Sequence, residues 1–139
     1  MANRILLIED ETARVAQAHK WFNALGYTVV WAATPDQIRY YLRCGPWALI
    51  CWDNDLGFKD QDGASFARSE YGADAVACSD AIWIWSHNTA QAPKIEAALR
   101  AHVGALALDP NTRYPVIHRS PFGAELPGTV QIALIGVRP

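Results

Sequence analysis

The chain has 139 residues, of which 51% are hydrophobic, and a formal net charge of −2. That length holds one domain with a sizeable core, and the mild acidity excludes a basic protein that coats nucleic acid. Lysine occurs only at Lys20, Lys59 and Lys94, so extensive binding along a DNA backbone is not expected, and no apolar stretch approaches the ~18 residues of a membrane span.

Arg4-Ile5-Leu6-Leu7-Ile8 is a continuous apolar run that ends in Glu9-Asp10-Glu11, which predicts a central strand with acid at its end. From Thr12 the period lengthens. Val15, Ala18, Phe22 and Leu25 fall at i, i+3, i+7 and i+10 before Gly26, as in an amphipathic helix closed by glycine. Tyr27 to Trp31 is β-branched and aromatic, and reads as the next strand. Thr34-Pro35-Asp36-Gln37 combines an N-cap, a proline at the first helical position and a capping-box glutamine ahead of Ile38, Tyr41 and Leu42.

A third apolar run, Trp47 to Trp52, follows Gly45-Pro46 and stops at Asp53-Asn54-Asp55-Leu56-Gly57. Two carboxylates thus stand two residues apart at a strand end, on one side of the chain if the extended geometry persists, and Gly57 lets the backbone turn away. Ala64 to Arg68 predicts a short helix, and Tyr71 to Asp80 reads as loop with at most a helical turn. Ala81 to Trp85 is the fourth strand, ending in Ser86-His87-Asn88, and Pro93 opens a helix with Ile95, Ala98, Leu99 and Val103 inward. Tyr114 to Arg119 is the fifth strand. Val130 to Val137 is apolar and β-prone, which predicts an irregular closing strand in place of a last helix.

The alternation predicts an α/β fold over residues 1–139: a three-layer open parallel sheet with helices on both faces, flavodoxin-like, as a single domain. In such sheets ligands bind beyond the carboxyl ends of the strands. The rule gathers Glu9 and Asp10, Asp53 and Asp55, and Ser86, His87 and Asn88. Like charges ~4 Å apart repel by roughly 4 kcal/mol at an effective dielectric near 20, so clustered carboxylates call for a cation, a proton or solvation. A hard ion such as Mg²⁺ suits oxygen ligands of this kind. The same acids also suit a humbler role, capping the helix that follows the first strand.

These residues resemble a known superfamily. Ile5 to Glu11 is similar to the opening of response-regulator (CheY-like) receiver domains, whose acidic pair binds Mg²⁺. Asp53 stands at the place of their phosphoacceptor, Asp62-Gly63 matches their Asp-Gly ahead of the third helix, and Ser86 matches the hydroxyl after the fourth strand. Receivers end the fifth strand in Lys-Pro, whereas this chain has Ser120-Pro121-Phe122.

A narrower resemblance is to the cyclic-phosphate-processing receiver-like family, through Asp53-Asn54-Asp55-Leu56-Gly57 and Ser86-His87-Asn88. Asn54 replaces that motif's histidine, and Trp85 replaces the histidine before Ser86. The resemblance implies a divalent-metal-dependent phosphoesterase acting on cyclic phosphate ends of RNA or nucleotides. Glu9, Asp10, Asp53 and Asp55 would hold Mg²⁺ or Mn²⁺, and Asp53, Ser86, His87 and Asn88 would act on the phosphate; His87 is the nearby acid–base candidate unless His118 reaches the site from the fifth strand.

The alternative is a receiver domain, phosphorylated or degenerate, that serves as a signalling or protein-interaction module. Six tryptophans are more than a small core requires, although most lie in predicted strands, where core packing explains at least four. Trp85, beside the site, is a candidate for stacking on a base. Three cysteines without metal-ligand spacing, and an N-terminus without a signal-type apolar region, lead to a cytoplasmic expectation without membrane contact.

Overall fold

The computed structural model describes residues 2–58 and 61–135. Eleven elements alternate along them: β1 (Arg4–Ile8), α1 (Thr12–Ala24), β2 (Thr28–Ala32), α2 (Pro35–Leu42), β3 (Leu49–Trp52), α3 (Gly63–Arg68), α4 (Glu70–Ala77), β4 (Ala81–Ile84), α5 (Ala92–Leu106), β5 (Val116–Arg119) and α6 (Gly128–Ile135). The strands form one sheet in the order β2-β1-β3-β4-β5, and every pairing is parallel. This is the doubly wound order whose switch point lies between β1 and β3.

The apolar runs of the three central strands fill both faces of the sheet, because successive side chains point to opposite sides. Leu6, Ile8, Ile50, Trp52, Ile82 and Ile84 join one buried cluster with Ile38 and Leu42 of α2, Phe66 of α3, Val76 of α4 and Ile95 and Leu99 of α5. Ile5, Leu7, Leu49, Cys51, Ala81 and Trp83 join the other, against Val15, Ala18 and Phe22 of α1 and Val130 and Leu134 of α6. Each fully buried side chain of this size contributes roughly 1.5–3 kcal/mol. The two faces together therefore hold β1, β3 and β4 in fixed register. That rigidity fixes where their carboxyl ends meet.

Two predicted elements differ in the structure. Residues 128–135 form helix α6, not a closing strand; residues 136 and 137 of that expected strand lie outside the described residues. An apolar run without periodicity does not distinguish a buried helix from a strand. Here the sheet face beside α1 supplies the deciding partner. Val130 and Leu134, one turn apart, are buried against it, and the Tyr27 hydroxyl donates to the Leu134 carbonyl at 2.9 Å. The stretch expected as loop from Tyr71 contains α4, capped by Ser69, whose Oγ accepts from Tyr71 N at 3.2 Å. Its small buried residues, Gly72 and Ala75, give little hydrophobic contrast in sequence. Among the described residues, no helix is long and apolar enough to cross a membrane.

Candidate functional site

Glu9 follows β1 and Asp53 follows β3, adjacent strands whose register continues through Asp53 N donating to the Ile8 carbonyl at 3.1 Å. The alternation of the pleat sends both acids to the α1 side, one step beyond Leu7 and Cys51. Glu9 is 1% exposed and Asp53 3%, while Asp10 reaches solvent. One carboxylate oxygen from each of Glu9, Asp10 and Asp53 lies within 4.8 Å of the other two. The switch point of the sheet thus carries a cup of three acids, two of them buried.

Burial is the chief cause of the unusual protonation of the cup. It pushes the Glu9 carboxyl up to about 9, assisted by the hydrogen bond to Asp53 and by that residue's charge. Asp53 is also raised by burial, but the bond from Glu9 and the nearby Arg14 favour its charged form. Glu9 therefore holds the proton of the pair and Asp53 accepts it. Glu9 has a local task as well: its Oε2 accepts from Asp10 N at 3.1 Å and Glu11 N at 3.4 Å. Glu11, the N-cap of α1, makes no side-chain capping bond.

The loop after β3 is pinned from below. Asn54, 2% exposed, accepts from Ala64 N at 3.1 Å through Oδ1, and its carbonyl accepts from Gly63 N at 2.9 Å. The Trp52 indole donates to the Gly63 carbonyl at 2.9 Å. Asp62 caps α3 through Ser65 N at 2.8 Å. Gly57 turns the loop with φ +72°, and a β-carbon there would lie 3.1 Å from Asp10 Oδ2. Asp62-Gly63 and Gly57 therefore hold the backbone around Asp53.

Asp55 lies outside the three-acid cup. It is exposed, and its Oδ1 accepts from Asn54 Nδ2 at 3.0 Å and Asn88 Nδ2 at 3.1 Å. Asn88 also accepts, through Oδ1, from Ala90 N at 3.2 Å and Gln91 N at 3.0 Å ahead of α5. Ser86 is buried and its Oγ accepts from Asn88 N at 3.0 Å. The loops after β3 and β4 are thus joined at Asp55–Asn88. His87 is exposed, and its Nε2–H donates to the Phe122 carbonyl at 2.6 Å. His118 pairs in register with Trp83, below the level of Asp53, with Nε2 buried and unpartnered; burial lowers its pKa.

Trp85 is fully buried, edge-on to Trp83 at 5.2 Å and to Phe122 at 5.3 Å between ring centroids. The ring belongs to the core and offers no face to a base. Trp47, Trp52 and Trp83 are likewise fully buried, so packing accounts for four of the six tryptophans. A groove of about 430 Å³ between α1 and α6, lined by Lys20, Trp21, Leu25, Leu126 and Gln131 among others, contains none of the three acids.

Sequence reasoning passed over Arg14 and Trp31. Arg14 reaches from α1 so that Nη1 lies 3.3 Å from Glu9 Oε1 and 3.9 Å from Asp53 Oδ1, and Nε 3.3 Å from Glu11 Oε2. Its guanidinium also lies 5.6 Å from the Phe122 ring centroid. The available signal was a basic residue one helical turn past an acidic run. Trp31, at the end of β2, donates from its indole to the Glu9 carbonyl at 2.7 Å.

No family profile matches the chain, and no curated protein matches it by sequence. Solved structures do match. A receiver domain (CheY-like) from Methylobacillus flagellatus superposes with a TM-score of 0.63 at 13% identity, covering 96% of this chain and 99% of that one. The receiver domain of a sensor histidine kinase from Pseudomonas aeruginosa, with magnesium coordinated in its active-site cleft, gives 0.59 at 18% identity and covers 96% and 95%. A Burkholderia pseudomallei response regulator with a phosphorylated aspartic acid, calcium and citrate gives 0.60 at 16% identity, with this chain covering 95% of itself and 66% of that protein. The narrower likeness to cyclic-phosphate-processing proteins gains no support from these matches. At such identities the comparison establishes the architecture: the chain has the receiver (CheY-like) fold, with three acids at the carboxyl edge of its sheet.

Proposed function

We propose that this chain is a receiver module that accepts a phosphoryl group on Asp53 in the presence of a divalent cation. The observation that carries the reading is the convergence of Glu9, Asp10 and Asp53 oxygens within 4.8 Å at the β1/β3 switch point. The donor set fits a hard cation, since all three ligands are carboxylate oxygens and two of them are buried, where a proton, Arg14 and backbone N–H groups offset their mutual repulsion. Glu9, Asp10 and Asp53 would hold Mg²⁺ or Mn²⁺, which supplies charge neutralisation for an incoming phosphate.

In the transfer a carboxylate oxygen of Asp53 forms a bond to phosphorus. The bond from phosphorus to the donor oxygen breaks, and the donor leaves with that electron pair, as acetate from acetyl phosphate. Proteins that read the phosphorylated surface are the expected partners. Incubation with acetyl phosphate and Mg²⁺, followed by intact-mass measurement, should reveal one added phosphoryl group in the native chain and none in Asp53→Asn. A native chain that stays unlabelled rejects the proposal.

A hydrolytic role on cyclic phosphates is the second reading, and the Asp55–Asn88 bridge between the two motif loops favours it. Against it, the His87 ring is engaged by the Phe122 carbonyl, and His118 lies in register with Trp83, below the level of Asp53. Turnover of 2′,3′-cyclic nucleotides with Mg²⁺ or Mn²⁺, lost in Asp53→Asn, is the outcome that reading requires.

A further inference from the structure

The guanidinium of Arg14 is placed in the acidic cup without being consumed by it. Among the described residues, no other lysine or arginine forms an ion pair with Glu9 or Asp53. The side chain is 18% exposed, and its aliphatic stem runs from the first turn of α1 toward the sheet. Its contact with Asp53 Oδ1 at 3.9 Å is too long for a hydrogen bond. Its bonds to Glu9 and Glu11 are both 3.3 Å, at the loose end of the range for charged pairs. At the end of β5, Arg119 is paired with Glu96 at 2.6 Å, and the residue after it is the uncharged Ser120, whose Oγ is buried without a partner.

We propose that Arg14 is the phosphoryl-binding cation of this site, moving its fork from Glu9 and Glu11 onto the oxygens of a phosphoryl group at Asp53. This rests on the phosphoacceptor reading given above. At 3.9 Å, Nη1 is near enough to Asp53 Oδ1 for an oxygen of a phosphoryl group bonded to Asp53 to come within hydrogen-bond reach off the line joining them, and a planar guanidinium is matched to two phosphoryl oxygens at once. Phe122, whose ring lies under the guanidinium, supports either position without competing for its donors. Glu9 needs no replacement for the lost ion pair when a divalent cation takes its carboxylate.

The two roles of Arg14 predict opposite effects on two ligands. Before phosphate arrives its charge opposes a metal ion; afterwards it holds the anion. The test measures Mg²⁺ affinity and, separately, affinity for the phosphoryl mimic beryllofluoride in the presence of Mg²⁺, on the full chain and on Arg14→Met and Arg14→Lys. Arg14→Met is expected to bind Mg²⁺ at least as tightly as the native chain and beryllofluoride about 10- to 100-fold more weakly, with Arg14→Lys in between. Labelling by acetyl phosphate should slow in the same order. Native-like beryllofluoride affinity in Arg14→Met overturns the proposal, as does parallel loss of Mg²⁺ and beryllofluoride, which marks a structural role. A native chain that takes neither phosphoryl nor beryllofluoride removes the phosphoacceptor reading itself, a result distinct from a competent native chain with indifferent Arg14 variants.

Discussion

A β-carbon on Gly63 would lie 1.9 Å from the carbonyl oxygen of Asp53 and 2.8 Å from the Cα of Asn54. The first residue of α3 is therefore packed directly against the backbone that presents the proposed phosphoacceptor. Both colliding atoms are main chain, so no side-chain rotation relieves the contact. Gly63→Ala is expected to destabilise the fold by roughly 1–3 kcal/mol, the usual range for overpacking, and to shift the loop after β3. Thermal melting with and without Mg²⁺ checks this: a fall in Tm accompanied by weaker metal binding is expected, and an unchanged Tm contradicts the packing.

The protonated state of Glu9 sets a pH dependence. Its carboxyl ionises at about 9 in the fold, against 4.5 as the ordinary value, because of burial and Asp53. The folded chain thus binds more protons than the unfolded chain between those limits, and ∂ΔG/∂pH is negative there. The contribution is fully present below pH 4.5 and is lost progressively as pH rises through about 9. Denaturation of the metal-free protein across this window should show declining stability, with the slope reduced in Glu9→Gln.

A divalent ion must displace that proton, so its affinity should rise with pH by up to about tenfold per unit while Glu9 remains protonated. Titration of Mn²⁺ at several pH values measures the slope directly. A flat profile would mean that Glu9 does not ionise on binding.

Asp53→Asn removes the acceptor oxygen and one of two facing buried acids. Phosphoryl labelling should disappear and Mg²⁺ affinity should fall, while the metal-free protein melts at a higher temperature because the cost of burying the Asp53 charge is gone. A lower Tm in the variant would show that the pair is stabilising as it stands.

Asn88 joins two structures with one amide, accepting from Ala90 and Gln91 ahead of α5 and donating to Asp55. Asn88→Ala should cost about 1 kcal/mol, as loss of a helix-terminal acceptor usually does. It should also raise amide exchange in the loop after β3, although Asp55 is distant in sequence. Hydrogen exchange confined to the start of α5 would argue that the bridge to Asp55 carries no weight.

Much of this fold was legible because its strands are continuous apolar runs buried on two faces, a pattern that Ile5 to Ile8 displays without interruption. The start of α2 was equally open to reading: Thr34 Oγ1 accepts from Gln37 N at 3.2 Å, and Gln37 Oε1 accepts from Ala33 N at 2.9 Å. Helix α6 was hidden because its five hydrophobic residues, Val130, Ile132, Ala133, Leu134 and Ile135, fall on no single helical face, and the uncovered sheet face selects Val130 and Leu134. At the site, topology brought Glu9, Asp10 and Asp53 together as the strand order requires. It did not reveal the lateral reach of Arg14, the turn of His87 toward Phe122 or the inward rotation of Trp85, each of which depends on neighbours far along the chain.

Trp31 stands at the rim of the acidic cup, 37% exposed and bound to the Glu9 carbonyl, whereas Trp47, Trp52, Trp83 and Trp85 are sealed in the interior. An aqueous quencher such as acrylamide therefore meets this indole well before those four. The native chain carries its own optical probe beside the carboxylates, and ion uptake should alter its emission without any introduced label.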